Sequence, residues 1–210
     1  PRTFSSAASD VYKRQEIVIA SHNKGKVSEI KDLLKNYDLK ILSSSDLGIE
    51  EPEENGSSFE ENAIIKSSVT STLSKIVSLS DDSGLCVNAL GGQPGIYSAR
   101  WAGPDKDFLY AAEKIYENLL EKGADDYSAY FICVLAVSWP DGDHKVFKGR
   151  VDGTLSFPPR GDNGFGYDPI FTPLGYKHTF GEMEPEFKHS ISHRNHAFNL
   201  FSKELLIEKQ

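Results

Sequence analysis

Cysteine is scarce in this chain, and long apolar runs are absent. The 210 residues include only two cysteines, Cys86 and Cys133, each inside an apolar segment and without CxxC spacing. This pattern predicts two buried, reduced thiols and argues against a disulfide framework or a cysteine zinc site. No apolar run approaches the roughly 20 residues that a membrane-spanning helix needs, so the sequence predicts no membrane partner.

Basic residues are also in the minority. The 23 Lys and Arg residues against 31 Asp and Glu residues give a formal net charge of −8, which argues against a general nucleic-acid binder or a binder of anionic membranes. An anionic substrate would therefore need a local basic cluster or a cation. The length and the 39% hydrophobic content suit one well-buried α/β domain or two small ones.

Residues 1–15 contain neither an initiating Met nor a continuous apolar core. They therefore do not match the pattern of a signal peptide, and we expect a disordered lead or a non-native extension. The folded part of the chain is expected to begin at Glu16.

Residues 81–103 combine two adjacent carboxylates, Asp81 and Asp82, with a hydroxyl and five glycines. Two neighbouring acids repel each other unless one is protonated, solvated or bound to a cation, so the pair is a candidate site for a hard metal ion. The simpler alternative is a strand that ends in an acidic turn.

A strand–loop–helix unit is predicted at the start of the fold. Residues 17–20 form a short apolar run typical of a buried strand, and apolar residues recur at helical spacing from Val27 to Leu34. The loop of residues 21–26 carries Lys24 and Lys26, and its backbone N–H groups suit a phosphate. It is not a P-loop, because GxxxxGK[ST] is absent, and an ordinary strand–helix connection is the alternative.

The next helix is predicted from its cap and its apolar spacing. Ser57 or Ser58 is the expected N-cap, with Glu60 or Glu61 three residues on. The expected apolar face consists of Phe59, Ala63, Val69, Leu73 and Ile76. Asn62 and Lys66 lie four residues apart and share one helix face. Lys66 either extends into solvent or reaches a bound phosphate.

The second half of the chain predicts a helix, a hairpin and a glycine-rich aromatic loop. Phe108, Ala111, Ile115 and Leu119 mark the helix, and residues 127–139 and 144–151 mark the hairpin. Glycines around Phe165 and Tyr167 would let a ring stack on a planar base, or would pin both rings in the core. A last helix, capped by Ser192, is expected to turn Ala197, Leu200, Phe201 and Leu205 inward.

Six motifs together resemble one family, the inosine triphosphate pyrophosphatase-like or Ham1/RdgB-like enzymes. They are IVIASHNKGKVSEI, ENG followed by SFEENAIIKS, DDSGL, GGQPGIYSARWAG, GDNGFGYDPIF and SISHR. The resemblance covers residues 16 to about 206 and implies a single domain over residues 16–210. It implies an α/β fold with an elongated mixed β-sheet flanked by helices, in two lobes with a nucleotide cleft between them.

The resemblance also implies an activity. Family members are cytoplasmic, Mg²⁺-dependent homodimers that hydrolyse ITP, dITP and XTP to the monophosphate and pyrophosphate. The implied metal ligands are Glu54 and Asp82, with Asp81 as a further candidate, and Asp82 is the implied general base. Asn23, Lys26 and Lys66 are the implied phosphate donors, and Lys66 is also counted as catalytic.

The remaining implied contacts surround the nucleotide. Phe165 is implied to stack on the base, Tyr167 and Asp168 to border the nucleoside, and Lys188, His193 and Arg194 to face the base edge. The full implied substrate-binding set is Ser21, His22, Asn23, Lys24, Gly25, Lys26, Ser83, Phe165, Gly166, Tyr167, Asp168, Lys188, His193 and Arg194. Two alternatives remain open at this point: a non-catalytic nucleotide-binding or sensor module, and a Maf-like pyrophosphatase with another base preference.

Overall fold

The computed structural model describes residues 15–206. The strands are β1 (Gln15–Ile19), β2 (Leu39–Ser43), β3 (Ser78–Val87), β4 (Ser128–Ser138), β5 (His144–Leu155) and β6 (Phe171–Pro173). The helices are α1 (Lys24–Leu34), α2 (Phe59–Ser74), α3 (Ser98–Trp101), α4 (Phe108–Glu121), α5 (Pro185–Ile191) and α6 (His193–Leu205). Of the expected lead, residues 1–14 lie outside the described part, and Gln15 opens β1.

The strands form one mixed six-stranded sheet in the order β2-β1-β3-β4-β5-β6, flanked by helices. β1 pairs in parallel with β2 and β3, whereas β5 and β6 are antiparallel. β4 and β5 are neighbours joined by a short turn in which the Gly142 N–H donates to the Trp139 carbonyl. The predicted fold class and the predicted hairpin are therefore confirmed.

The chain divides into two compact units. Of the described residues, unit 1 comprises 15–82, 134–148 and 196–206, and unit 2 comprises Ser83–Cys133 and Gly149–Asn195. β3, β4, β5 and α6 each contribute residues to both units.

Unit 1 begins with the predicted strand–loop–helix. Residues 17–19 are fully buried, as expected for a strand with neighbours on both sides in a parallel arrangement. α1 starts at Lys24, inside the predicted loop, because the Asn23 side chain caps it. Its Oδ1 atom accepts hydrogen bonds from the backbone N–H groups of Gly25 and Lys26 at 3.0 and 3.2 Å.

The buried face of α2 is largely polar, so the predicted apolar face is correct only in part: Ala63 is buried as predicted, whereas Phe59, Val69 and Ile76 are half-buried. Leu73 is 63% exposed. The residues that are buried on the helix are Asn62, Ala63, Lys66, Ser67, Thr70 and Ser71. The Ser67 hydroxyl lies 2.8 Å from the Ser138 hydroxyl, and Ser80 donates to the Ala63 carbonyl at 2.5 Å. Small hydroxyl side chains therefore pack α2 in place of large apolar ones. The expected cap is confirmed, since the Ser58 hydroxyl accepts from the Glu61 N–H.

The C-terminal helix packs within unit 1 through its residues from 196 onward. Ala197, Phe201 and Leu205 are buried as predicted, but Leu200 is 52% exposed and that prediction is wrong. Phe198 is buried instead and meets Phe201 with ring centroids 5.5 Å apart. The Ser192 hydroxyl accepts from the Asn195 N–H at 3.1 Å, which confirms the cap.

Unit 2 has an apolar core that supports its loops. α4 contributes Ala111, Ala112, Ile115 and Leu119, all buried, which confirms the predicted helix face. Phe131 on β4 contacts Phe171 and Phe180, with ring centroids 4.7 and 6.0 Å apart. Such aromatic contacts fix the segments around Phe171 and Phe180 against the sheet.

Both cysteines are buried and neither forms a disulfide, as the sequence predicts. Burial raises the pKa of the Cys86 thiol, so the thiol stays protonated at neutral pH. Across residues 15–206, the helices are too short or too polar to pass through a bilayer.

Candidate active site

β3 carries the two adjacent carboxylates in its interior. Because β3 continues to Val87, the alternative of a strand that ends in an acidic turn is wrong. Successive side chains of a strand point to opposite faces, so Asp81 and Asp82 meet different partners. Asp81 Oδ1 lies 2.5 Å from Lys26 Nζ, whereas Asp82 Oδ1 lies 3.4 Å from Lys66 Nζ.

Lys66 links two carboxylates from separate parts of unit 1. Its ammonium donates to Glu54 Oε1 at 2.5 Å and to Asp82 Oδ1 at 3.4 Å, and Lys66 is only 4% exposed. Burial by itself lowers the pKa of Lys66, but the carboxylates of Asp82, Glu54 and Asp81 outweigh it and the net pKa is raised. Lys66 is therefore a permanently charged cation within a cluster of acids.

Asp82 has the electrostatic environment of a general base. Burial raises the pKa of its carboxyl, and Glu54 and Asp81 raise it further, although Lys66 and Lys26 oppose the shift. A base whose pKa is raised towards neutrality accepts a proton from water more readily than an ordinary carboxylate. Asp82 thus combines a charge partner with a strengthened basicity.

The same carboxylate leaves one atom available for a cation. Asp82 Oδ2 is buried, and no hydrogen-bond partner reaches it from the residues that the structure describes. A buried acceptor without a partner is costly, and a hard divalent cation is an appropriate ligand for a carboxylate oxygen. The residues present therefore fit a divalent metal at Asp82, with Glu54 as the second carboxylate.

A complete metal site is not assembled from protein groups alone. Within residues 15–206, no three side chains of His, Cys, Asp or Glu are arranged to hold a metal ion. Lys66 stands where Glu54 and Asp82 would share a cation, and Asp81 pairs with Lys26. This arrangement suits a divalent metal that uses one or two carboxylates and takes its other ligands from water and a bound phosphate.

The predicted phosphate loop is partly occupied by its own hydrogen bonds. The N–H groups of Gly25 and Lys26 already donate to Asn23, and the Asn23 N–H donates to the Ser21 hydroxyl at 3.2 Å. Lys24 and Gly25 are exposed, and His22 is half-buried. The structure therefore presents Lys24 to solvent and uses Lys26 as the partner of Asp81.

In unit 2, an ion pair supports the exposed aromatic ring. Lys188 and Asp168 are each 3% exposed, and Lys188 Nζ lies 3.2 Å from Asp168 Oδ2. Asp168 Oδ2 also accepts from the Phe165 N–H at 2.9 Å, and Lys188 Nζ lies 5.0 Å from the centre of the Phe165 ring. Phe165 is 39% exposed. Lys188 and Asp168 therefore help to set the position of Phe165, and part of the Phe165 side chain remains exposed to solvent.

Arg194 and His193 occupy buried positions at the start of α6. Arg194 is 2% exposed, and its Nη2 donates to the Ser83 hydroxyl at 3.2 Å. The His193 ring stacks on Phe131, with centroids 4.8 Å apart and planes 9° apart. Ser83, assigned to the substrate by the resemblance, therefore also orients Arg194.

A model of one protein family matches the chain. The model is that of the Ham1 family, and it covers residues 17–204. The chain belongs to the Ham1 family. Two curated relatives, from Caulobacter vibrioides and Zymomonas mobilis, both bear the name dITP/XTP pyrophosphatase. They are 53% and 48% identical to this chain over 87% and 94% of its length, which is 94% and 95% of theirs.

Solved structures agree with this membership in the Ham1 family. A HAM1 protein from Coxiella burnetii matches with a TM-score of 0.85 and 36% identity, over 90% of this chain and 98% of that one. The Ham1 protein of Staphylococcus aureus matches with a TM-score of 0.82 and 42% identity, over 90% and 97% of the two chains.

Tyr167 of this Ham1-family protein is a core residue. It is 3% exposed, its hydroxyl donates to the Ser98 carbonyl at 2.9 Å, and its ring meets Phe108 edge to face. Burial raises the pKa of the Tyr167 hydroxyl. The neighbouring Gly166 has a φ of +69°, which glycine adopts without strain. Tyr167 thus anchors the loop whose tip is Phe165.

Sequence reasoning missed the residues that brace this loop in the Ham1-family chain. The Thr179 hydroxyl donates to the Arg160 carbonyl at 2.7 Å, and the Asn163 N–H donates to the Gly181 carbonyl at 2.9 Å. A Cβ on Gly161 would overlap the Gly181 backbone, so the two segments touch through their main chains. The glycines at 161 and 181 were the available signal, since paired glycines can indicate close backbone approach.

Proposed function

We propose that this chain hydrolyses non-canonical purine nucleoside triphosphates, namely ITP, dITP and XTP, to the nucleoside monophosphate and pyrophosphate. The observation that carries the proposal is the cluster of buried Asp82 and Lys66 with half-buried Glu54 in a member of the Ham1 family. The relatives from Caulobacter and Zymomonas bear the name of this activity. These names favour a hydrolase over a non-catalytic nucleotide sensor.

Asp82 is assigned the role of general base. It takes a proton from a water molecule, whose oxygen forms a bond to the α-phosphorus while the bond from that phosphorus to the bridging oxygen of the β-phosphate breaks. The leaving group is pyrophosphate. The raised pKa of Asp82 supports this role, because it brings the carboxylate closer to the ideal basicity for proton transfer.

Enzymes that cleave nucleoside triphosphates in this way generally require a divalent metal, and we propose Mg²⁺. When bound, Mg²⁺ neutralises phosphate oxygens and favours attack at phosphorus. Asp82 Oδ2 and the Glu54 carboxylate would hold it, and Asp81 remains a further candidate. With these carboxylates holding the metal, Lys66 would donate to a phosphate, and Lys26 and Asn23 would be further donors.

Base recognition is assigned to residues of unit 2. The exposed Phe165 ring offers a face for stacking, worth roughly 1–3 kcal/mol per base. Lys188, His193 and Arg194 supply hydrogen-bond donors that suit the 6-oxo group of hypoxanthine or xanthine. Gly166, Asp168 and Ser83 complete the proposed nucleoside contacts, with Asp168 acting through Lys188 and Phe165.

The product distinguishes this proposal from a phosphatase activity. With dITP and Mg²⁺, we expect pyrophosphate as the phosphorus-containing leaving group, because the attack is at the α-phosphorus. A colorimetric phosphate assay should therefore give no signal until inorganic pyrophosphatase is added, and then two phosphates per dITP consumed. Phosphate release without the coupling enzyme would contradict the proposed point of cleavage.

We also propose that the protein is a cytoplasmic homodimer, on the strength of the family alone. Multi-angle light scattering at micromolar concentration is expected to give a mass twice that of the 23.3 kDa chain. Dilution through the nanomolar range measures how tightly the two copies associate. A monomeric mass at micromolar concentration would refute the dimer while leaving the proposed chemistry in place.

A further inference from the structure

Asn62 is a buried side chain that the proposed chemistry does not use. It lies in the first turn of α2 and is 1% exposed. Its Oδ1 atom accepts a hydrogen bond from the Gly56 N–H at 2.9 Å. Gly56 is two residues beyond Glu54. This bond therefore fixes the segment of residues 54–57, here called the corner, which carries the proposed metal carboxylate Glu54.

The corner is packed closely onto the start of α2. A Cβ on Gly56 would lie 2.7 Å from Asn62 Oδ1 and 2.7 Å from the Cβ of Glu61, both of which are too short for real contacts. The neighbouring Ser57 N–H donates to Glu61 Oε2 at 2.6 Å. Residues 56 and 57 are therefore fixed to the helix by two side chains from its first turn.

Lys66 holds the same corner one helical turn further on. Residues 62 and 66 share a helix face, and Lys66 Nζ pairs with Glu54 Oε1 at 2.5 Å. If Glu54 binds a metal and Lys66 donates to a phosphate, their mutual ion pair must open. The bond between Asn62 and Gly56 involves neither of those groups, so it can persist when the ion pair opens.

We propose that Asn62 is a positioning residue that keeps Glu54 at the metal site after Lys66 has released it. This inference rests on the proposed function and concerns Glu54 as a metal carboxylate. Groups that orient a metal ligand without touching the metal commonly change metal affinity by about 10- to 100-fold when they are removed. Loss of the Asn62 bond should therefore weaken metal binding and leave the chemical step largely unchanged.

The test compares Asn62→Ala, Gly56→Ala and the double variant. Gly56→Ala breaks the same contact from the loop side at a half-buried position, so it remains informative if Asn62→Ala does not fold. Ser71→Ala is the matched control, because Ser71 is 1% exposed on the same helix and donates to the Ile76 carbonyl at 2.8 Å. It removes a buried hydrogen bond of α2 far from the corner.

Two readouts are measured for each variant. The first is the Mg²⁺ concentration that gives half-maximal dITP hydrolysis, together with kcat at saturating Mg²⁺. The second uses Mn²⁺ alone with the nucleotide-free protein, followed as loss of the free-ion electron paramagnetic resonance signal. We expect Asn62→Ala and Gly56→Ala each to raise both metal constants roughly tenfold, with kcat within about threefold and no further loss in the double variant.

The contrary results are distinct. Metal constants that change no more than those of Ser71→Ala would reduce Asn62 to a stabilising residue and overturn the inference. Additive losses in the double variant would do the same, since they would place the two residues at independent points. If the wild-type protein hydrolyses neither dITP nor XTP, the proposed function fails, and the Mn²⁺ titration still decides whether Asn62 acts on metal binding.

Discussion

Asp82→Asn is expected to lower kcat for dITP by about a thousandfold, within the range that general-base catalysis contributes, while nucleotide binding survives. The substitution keeps the shape of the side chain but removes its negative charge and its basicity. It also removes the charge that attracts a cation to Oδ2, the buried atom without a partner in the described structure. Single-turnover kinetics at saturating Mg²⁺ and fluorescence titration with a non-hydrolysable dITP analogue separate turnover from binding.

Asp81→Asn is the natural control for this prediction. Asp81 is adjacent in sequence and also buried, but its 2.5 Å ion pair is with Lys26. Its substitution is expected to weaken nucleotide affinity or stability, with a much smaller loss in kcat. Near-wild-type turnover by Asp82→Asn would mean that both the base and the metal assignments of Asp82 are wrong.

Arg194→Ala is expected to lower kcat/KM for dITP by at least tenfold and to change ATP turnover little. Hypoxanthine presents a 6-oxo acceptor where adenine presents an amino donor, so a guanidinium favours the first and leaves the second unmatched. A lost hydrogen bond to a charged group is worth roughly 1.5–3 kcal/mol, which corresponds to this fall. Parallel kcat/KM measurements with dITP, XTP and ATP report the ratio directly.

Two comparisons make the Arg194 prediction decisive. Ser83→Ala keeps the guanidinium and removes the hydroxyl that accepts from it at 3.2 Å, which is also a proposed nucleoside contact, so a smaller loss in the same direction is expected. Thermal unfolding of each variant separates lost recognition from lost stability, since Arg194 is almost fully buried. If dITP and ATP lose activity equally, Arg194 serves the phosphates or the fold, and its assignment to the base edge is wrong. Guanine shares the 6-oxo group, so its rejection must come from another element.

Local pattern was enough to predict the elements whose burial is apolar. β1 buries residues 17–19, and α1 buries Ile30 and Leu34 of its predicted apolar positions. The helix α4 buries three of its four predicted apolar positions, Ala111, Ile115 and Leu119. The hairpin of β4 and β5 followed from a long β-branched run and its turn. In these segments the residues that recur at the hydrophobic period are the ones that are buried, so local sequence was enough to predict the element and its buried face.

α2 could not be predicted in the same way, because its packing partners are distant in sequence. Ser67 bonds Ser138, and Ser80 bonds Ala63, across 71 and 17 residues. A periodicity argument assigns apolar residues to the interior and serines to the surface, and here Leu73 is exposed and Ser67 is buried. Only the fold reveals that hydroxyl groups from other segments meet this helix.

The site was predicted as a set of residues but not as a set of contacts. From the sequence, Asp81 and Asp82 were interpreted as one acidic pair. In the structure, the carboxylate of Asp81 pairs with Lys26 and that of Asp82 pairs with Lys66. The sequence also allowed two positions for the Lys66 side chain, in solvent or at a bound phosphate. In the structure, the Lys66 ammonium contacts Glu54 and Asp82. Motif order identifies the chemistry, but the pairing of charges depends on strand alternation and helix placement that are set elsewhere in the chain.

The hydroxyl groups that pack α2 also fix its position along the helix axis. Apolar contacts are non-directional, whereas a hydrogen bond requires a particular distance and angle between two atoms. A shift of one residue in α2 would instead lose the 2.8 Å bond between the hydroxyls of Ser67 and Ser138 and the 2.5 Å bond from Ser80 to the Ala63 carbonyl, at roughly 0.5–1.5 kcal/mol each. Lys66 directly precedes Ser67 on α2. The hydrogen bonds of the helix therefore fix the backbone position of Lys66, and only its side chain needs to move when the ammonium exchanges one partner for another.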